Sequence, residues 1–171
     1  QPVIHDFHNL QWRFTQFQAA LVAGNQSRIK QSKDLIQAML HKKQLVDQYN
    51  QIKVSPFFRT RVMHHDAKIS NVLLDKEDSG ICVIDLDTVM PGYIISDWAD
   101  MVRTYVCPVS EEESDFSKIY VRKDYFDAIQ EAYLSKLGSL MSEPEKKSLH
   151  LSGQILVYMQ ALRFMTDFLL N

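Results

Sequence analysis

The chain is short of several things, and each shortage excludes a class of protein. It holds only two cysteines in 171 residues, Cys82 and Cys107, without the spacing of a metal site. That argues against a disulfide-built secreted scaffold and for a reduced, cytosolic protein. Five glycines leave no room for a glycine-rich loop. Neither sign of charge dominates, with 19 Lys and Arg against 21 Asp and Glu. The electrostatic footprint of a nucleic-acid or anionic-membrane binder is therefore missing. No signal peptide is visible. The most apolar tail, QILVYMQALRFMTDFLLN, is interrupted by Gln160, Arg163 and Asp167, so it reads as an amphipathic helix and not a membrane span. What remains is ordinarily globular, 46% apolar and 23% charged, and long enough for one domain, residues 1–171, with its own core. A start at Gln1 without a methionine suggests processing or a piece of something longer.

The periodicity predicts a mostly helical α+β domain. Leu10, Phe14, Phe17 and Leu21 sit at helical spacing in residues 10–23, with Gly24-Asn25 as the stop. A second helix over residues 27–52 buries Ile29, Ile36, Met39, Leu40, Val46 and Tyr49 and solvates a Lys- and Gln-rich face. Pro56 ends it. RVM, NVLL and GICVID then read as short strands, the last two joined by the turn DKEDSG as a hairpin. DTVMPGY reads as a loop turning at Pro91-Gly92, and SDWADMVRTY as a helix capped by Ser96 or Asp97. PVSEEESDFS is a polar surface loop, and a helix near 122–137 ends at Gly138. SEPE, residues 142–145, matches a capping box: Ser142 is the N-cap, Glu145 the reciprocating acid, and Pro144 lies in the first turn. The last thirty residues form one long helix or two abutting ones. No internal repeat or low-complexity segment interrupts this order.

The polar cluster VMHHDAKISNVLLD lies on the small β element. Its hairpin returns Asp85 and Asp87, fourteen and sixteen positions after Asn71, to the neighbourhood of that asparagine. One carboxamide and one or two carboxylates make a hard-oxygen site of few ligands. That suits Mg²⁺, which keeps waters and takes its remaining ligands from phosphates. Asp66 stands off as the acid that orients and deprotonates an attacking hydroxyl. Lys68 is placed to lean toward a transferred phosphate and is equally well read as a surface lysine. His64 reads as a structural residue that holds the loop.

HHDAKISN fits the His-x-Asp-x-x-x-x-Asn catalytic loop of protein kinases and of aminoglycoside phosphotransferase-like small-molecule kinases, and VIDLD fits the metal-binding segment that follows it. The longer run HHDAKISNVLLD…CVIDLDTVMPGYIISDWADMVRTY, with FHNLQWRFTQF and RFMTDFL, closely resembles the N-acetylhexosamine 1-kinases. The resemblance covers nearly the whole chain. It implies the C-terminal lobe of the protein-kinase-like fold, with a small β-hairpin carrying the catalytic site. It also implies ATP and Mg²⁺ as cofactors, and transfer of phosphate to the anomeric hydroxyl of GlcNAc or GalNAc. On that resemblance Asp66 is the base, Asn71 and Asp85 hold Mg²⁺-nucleotide, and Asp87 is a further acid near the metal. Asp100 resembles a buried aspartate that braces the catalytic loop by accepting its backbone N–H groups. Arg103 either pairs with an acid or lies on the helix surface. Arg163 and Asp167 face the sugar or, four apart on a helix, form an intrahelical pair. The N-terminal lobe, with its phosphate-covering loop and lysine, is absent from the chain. The implied partners are ATP, a small sugar and that lobe, with no nucleic acid and no membrane.

Three rivals stand beside this reading. The same loop serves kinases of aminoglycosides, choline, homoserine and methylthioribose. His65-Asp66 is also the central doublet of HD-type metal phosphohydrolases, for which His5, His8 and His41 would have to complete a metal site. That doublet normally lies on a helix. The third rival is a non-catalytic, pseudokinase-like module, against which the complete set of carboxylates argues.

Overall fold

Apolar residues spaced three and four apart build the first element. Leu10, Phe14 and Phe17 are buried on one helical face, and Ala20, not Leu21, completes the stripe. The side chain of Asn9 accepts the N–H of Trp12 and starts that helix. The computed structural model describes residues 4–110 and 112–171; Gln1, and Glu111 of the acidic loop, lie outside the described residues. In chain order the elements are α1 (Leu10–Ala23), α2 (Gln26–Gln31), α3 (Lys33–His41), α4 (Gln44–Val54), β1 (Thr60–Met63), β2 (Val72–Leu74), β3 (Gly80–Val83), β4 (Met90–Tyr93), α5 (Ile95–Tyr105), α6 (Lys123–Leu137) and α7 (Glu143–Leu170). The fold is α+β and mostly α, with two small antiparallel sheets. No helix among the described residues is long and apolar enough to cross a membrane.

Backbone contacts gather into two units, one built on Phe57–Gly153 and the other on Asp6–Pro56 with Gln154–Asn171. In the second unit the helix predicted over 27–52 is three helices, broken at Ser32 and at Lys42-Lys43. Neither break carries Gly or Pro, so propensity gave no warning of them. Ile36, Met39, Val46 and Tyr49 are buried as the stripe requires, joined by Leu45 and Ile52. The Tyr158 hydroxyl, midway along α7, donates to the Met39 carbonyl (2.8 Å) and ties α7 to this group. Gly24 is a matter of space: a Cβ there would meet the Ala20 carbonyl oxygen at 2.5 Å and that of Leu169 at 2.8 Å.

The first unit is organised around Trp98 of α5, which is fully buried. Its ring lies 5.2 Å from Tyr133 and 5.9 Å from Phe126 of α6, centroid to centroid. Its indole N–H donates to the Leu149 carbonyl of α7 (2.8 Å). β2 and β3 form the predicted hairpin, with Val72 opposite Val83 and a bulge after Leu73. Its turn is organised by Asp75, whose Oδ1 accepts the N–H groups of Glu77 (2.9 Å) and Ser79 (2.8 Å). The segment expected to be a loop, DTVMPGY, instead holds β4, which pairs antiparallel with β1 from Thr60–Tyr93 to Met63–Met90. Pro91 is tolerated because, among the described residues, this sheet has two strands and each has an edge without a partner strand.

The capping box is present as predicted. Ser142 Oγ accepts the Glu145 N–H (3.2 Å), and Glu145 Oε2 accepts the Ser142 N–H (2.8 Å). Glu145 does more than cap, because its buried carboxylate also accepts the Arg59 N–H (3.1 Å) and both guanidinium nitrogens of Arg61 on β1 (2.6 and 3.0 Å). Burial alone would raise this carboxyl; Arg61 and the N–H groups of Ser142 and Arg59 outweigh it and hold it below the usual range. A carboxyl lowered by folding adds stability that is present above its unfolded value and lost as pH falls through its folded one. Glu145→Gln should therefore cost about 1–3 kcal/mol at pH 7 in urea melts. That difference should shrink below the ordinary glutamate range.

Candidate functional site

Past Met63 the chain leaves β1, and its next two backbone N–H groups need acceptors. Asp97 in the first turn of α5 takes both: Oδ2 accepts from His64 (2.9 Å) and Oδ1 from His65 (2.7 Å). For these two N–H groups the bracing acid is Asp97. Asp100 lies one helical turn further on, buried, and accepts from the Arg103 guanidinium at 2.7 and 3.0 Å. Nor do Ser96 and Asp97 cap the helix. The N-cap position is Ile94, with no side-chain cap bond, and both polar side chains turn to the loop.

His64 is fixed at every polar group. Its carbonyl accepts from Thr88 Oγ1 (2.6 Å), its Nδ1 from the Asp66 N–H (3.3 Å), and its Nε2 lies 3.0 Å from the Ile84 carbonyl. Those partners select the tautomer protonated at Nε2. His65 is buried and adopts a left-handed backbone, φ 65°. Its Nδ1 lies 2.7 Å from the hydroxyl of Ser96. Burial holds the His65 ring below the ordinary imidazole range, although Asp97 and the carbonyls of Pro91 and Met90 pull the other way.

The loop then delivers the polar cluster. Asn71 is the last residue of a short 3₁₀ turn, Ile69–Asn71, and is buried. Its Nδ2 donates to the Asp66 backbone carbonyl and to Asp66 Oδ2, both at 2.9 Å. Lys68 Nζ reaches the same Oδ2 at 2.8 Å. The hydrogen bond that Lys68 donates to Asp66 raises its ammonium above the ordinary value against partial burial, with Asp66, Asp85 and Asp100 adding their charges. Asp85 is thus within electrostatic reach of the Asp66–Lys68 pair. Its neighbour Ile84 donates its N–H to the Asn71 carbonyl (2.9 Å), so the hairpin pins the two segments together. Asp85 is left-handed, φ 62°, and exposed; Asp87, also exposed, follows in the turn Leu86–Thr88.

The donor set fits a hard cation. With the Asn71 amide nitrogen committed to Asp66, its carbonyl oxygen is the atom left for coordination, and Asp85 and Asp87 add carboxylates. No three His, Cys, Asp or Glu side chains converge among the described residues. The His65-Asp66 doublet lies in an irregular loop and not on a helix, which is the wrong setting for an HD-type site. Arg163 and Asp167 belong to the other unit, on the exposed side of α7. There burial lowers the Arg13 guanidinium, Arg163 adding to that effect and Asp167 and Asp6 opposing it.

Asp97→Asn replaces one of two acceptor oxygens by a donor and should cost about 1–3 kcal/mol in thermal melts. Hydrogen exchange at the His64 and His65 amides should accelerate in that variant. It should stay slow in Asp100→Asn, and the reverse pattern would return the bracing role to Asp100.

A scan against family models matches residues 3–130 to the phosphotransferase enzyme family model (APH). The matched span contains the whole loop, the hairpin and α5, and ends before α7. With three quarters of its length so matched, and with Asp66, Lys68 and Asn71 joined as described, the chain belongs to the phosphotransferase enzyme family.

Proposed function

We propose that the chain is the C-terminal, catalytic lobe of an ATP- and Mg²⁺-dependent sugar kinase. Its acceptor in this reading is the anomeric hydroxyl of an N-acetylhexosamine, GlcNAc or GalNAc. The observation that carries the proposal is the double hold on Asp66 Oδ2 by Asn71 Nδ2 and Lys68 Nζ. Held from two sides, the carboxylate is fixed in orientation before any substrate arrives, so alignment costs little at the moment of reaction. Its other oxygen, Oδ1, takes the proton of the acceptor hydroxyl as the hydroxyl oxygen attacks the terminal phosphorus of ATP, and the bridging P–O bond breaks with its electron pair leaving on ADP. Lys68 supplies positive charge beside the carboxylate, where the transferred group gathers negative charge. Asn71 and Asp85, with Asp87 beside them, would hold Mg²⁺-nucleotide, and the bound ion neutralises phosphate charge and keeps the phosphates in line.

Preference for a hexosamine rests on the similarity of DLDTVMPG and RFMTDFL to the N-acetylhexosamine 1-kinases. The loop chemistry alone serves other alcohols equally well. The discriminating measurement is ATP consumption by the full-length protein against GlcNAc, GalNAc, choline, homoserine, methylthioribose and an aminoglycoside. The two hexosamines should turn over fastest; a clear preference for another alcohol would sink the substrate assignment. Asp66→Asn should lower kcat by about 10²–10⁴-fold, and wild-type rates in that variant would remove Asp66 as the base. The 171 residues alone should turn over little or nothing.

A further inference from the structure

Left-handed backbone is unfavourable for any residue with a bulky side chain, and it persists only where surrounding structure over-determines it. His65, immediately before the proposed base, has φ 65°. Three contacts hold it there. Its N–H is taken by Asp97 Oδ1 at 2.7 Å, its ring Nδ1 lies 2.7 Å from Ser96 Oγ, and the ring edge fills the space beside Gly92. A Cβ on Gly92 would stand 2.3 Å from His65 Cε1 and 2.5 Å from Nε2, which no ordinary contact permits. No glycine among the described residues has positive φ, so Gly92 serves to make room and not to relax the backbone. The ring therefore joins the loop to β4 and to the first turn of α5.

We propose that His65 is a positioning residue, seated between Gly92 and Ser96, whose ring fixes the backbone turn that presents Asp66. The proposal rests on the base role given to Asp66 above. The ring touches no reacting atom in this account. It sets where the next residue's carboxylate stands, and a misplacement of about 1 Å at such a point can cost on the order of 10²-fold in rate.

The test is a pair of substitutions and their combination in the full-length protein. Gly92→Ala should force the ring from its seat and lower kcat by about 10²-fold, with KM for ATP and acceptor little changed. His65→Gly accepts the left-handed backbone without strain but leaves the turn unfixed, so it should cost about tenfold in kcat, less than Gly92→Ala, where the displaced ring also pushes the loop. Wild-type kcat in His65→Gly would overturn the proposal. In Gly92→Ala/His65→Gly the added methyl meets no ring, so kcat should rise above that of Gly92→Ala alone and match His65→Gly. Melting temperatures should follow the same order, with the loss in Gly92→Ala recovered in the double variant. Wild-type kcat in Gly92→Ala, or a double variant no better than it, would overturn the proposal. If the wild type phosphorylates no alcohol, the functional assignment fails separately. The melts then decide the seating of His65: recovery supports it, and additive losses refute it.

Discussion

One carboxylate sets the geometry on which the rest of the site depends. Asp97 takes two consecutive N–H groups as the chain leaves β1, and without it the loop would carry two unpaired backbone donors in a half-buried place. The carboxylate is itself placed by the core. The next residue is Trp98, locked against Tyr133 and Phe126 and hydrogen-bonded to Leu149, so the first turn of α5 has little freedom. Core packing thus fixes a helix turn, that turn fixes the loop, and the loop fixes Asp66.

Above this frame the site is a balance of acids around one cation. Lys68 is bound to Asp66 and lies in the fields of Asp85 and Asp100, which keep it charged despite partial burial. Asp100 is in turn occupied by Arg103, so its charge is compensated below the site while still felt above it. Such an arrangement gathers oxygen donors without leaving a large net charge of one sign.

Much of this was legible in the sequence, for identifiable reasons. Helical periodicity gave α1, the turn chemistry of DKEDSG gave the hairpin, and SEPE gave the start of α7. Each is a local signal that tertiary packing did not override. The spacing of Asp66, Asn71 and Asp85 was sufficient to bring the three segments together, because a hairpin of fixed register has only one way to return. What failed was the assignment of partners across elements. Asp97 and Asp100 share a helix face three residues apart, and only coordinates show which meets the loop. Ser96 and Asp97 looked like caps because those residue types favour helix starts, but here their hydrogen bonds go elsewhere. β4 was missed because Pro91-Gly92 is a turn signal in most contexts, and a strand paired on one side tolerates it. Gly92 read as a turn residue, whereas its place beside the His65 ring, where a Cβ has no room, carries no local signal.

The ribbon formed by β2 and β3 has a consequence for binding. Leu73, Leu74, Ile81, Val83 and Ile84 are exposed, so little apolar burial holds the two strands beyond their own ladder and the links from Ile84 to Asn71 and His64. An isolated two-stranded ribbon is marginal in water, so this edge should sample open states more readily than α5 does. Asp66, the proposed base, thus sits on the stiff side of the site and the proposed ion ligands Asp85 and Asp87 on the soft side. Any ligand drawn to those two acids must offset the entropy of quieting the ribbon, which weakens its resting affinity and makes its release easier.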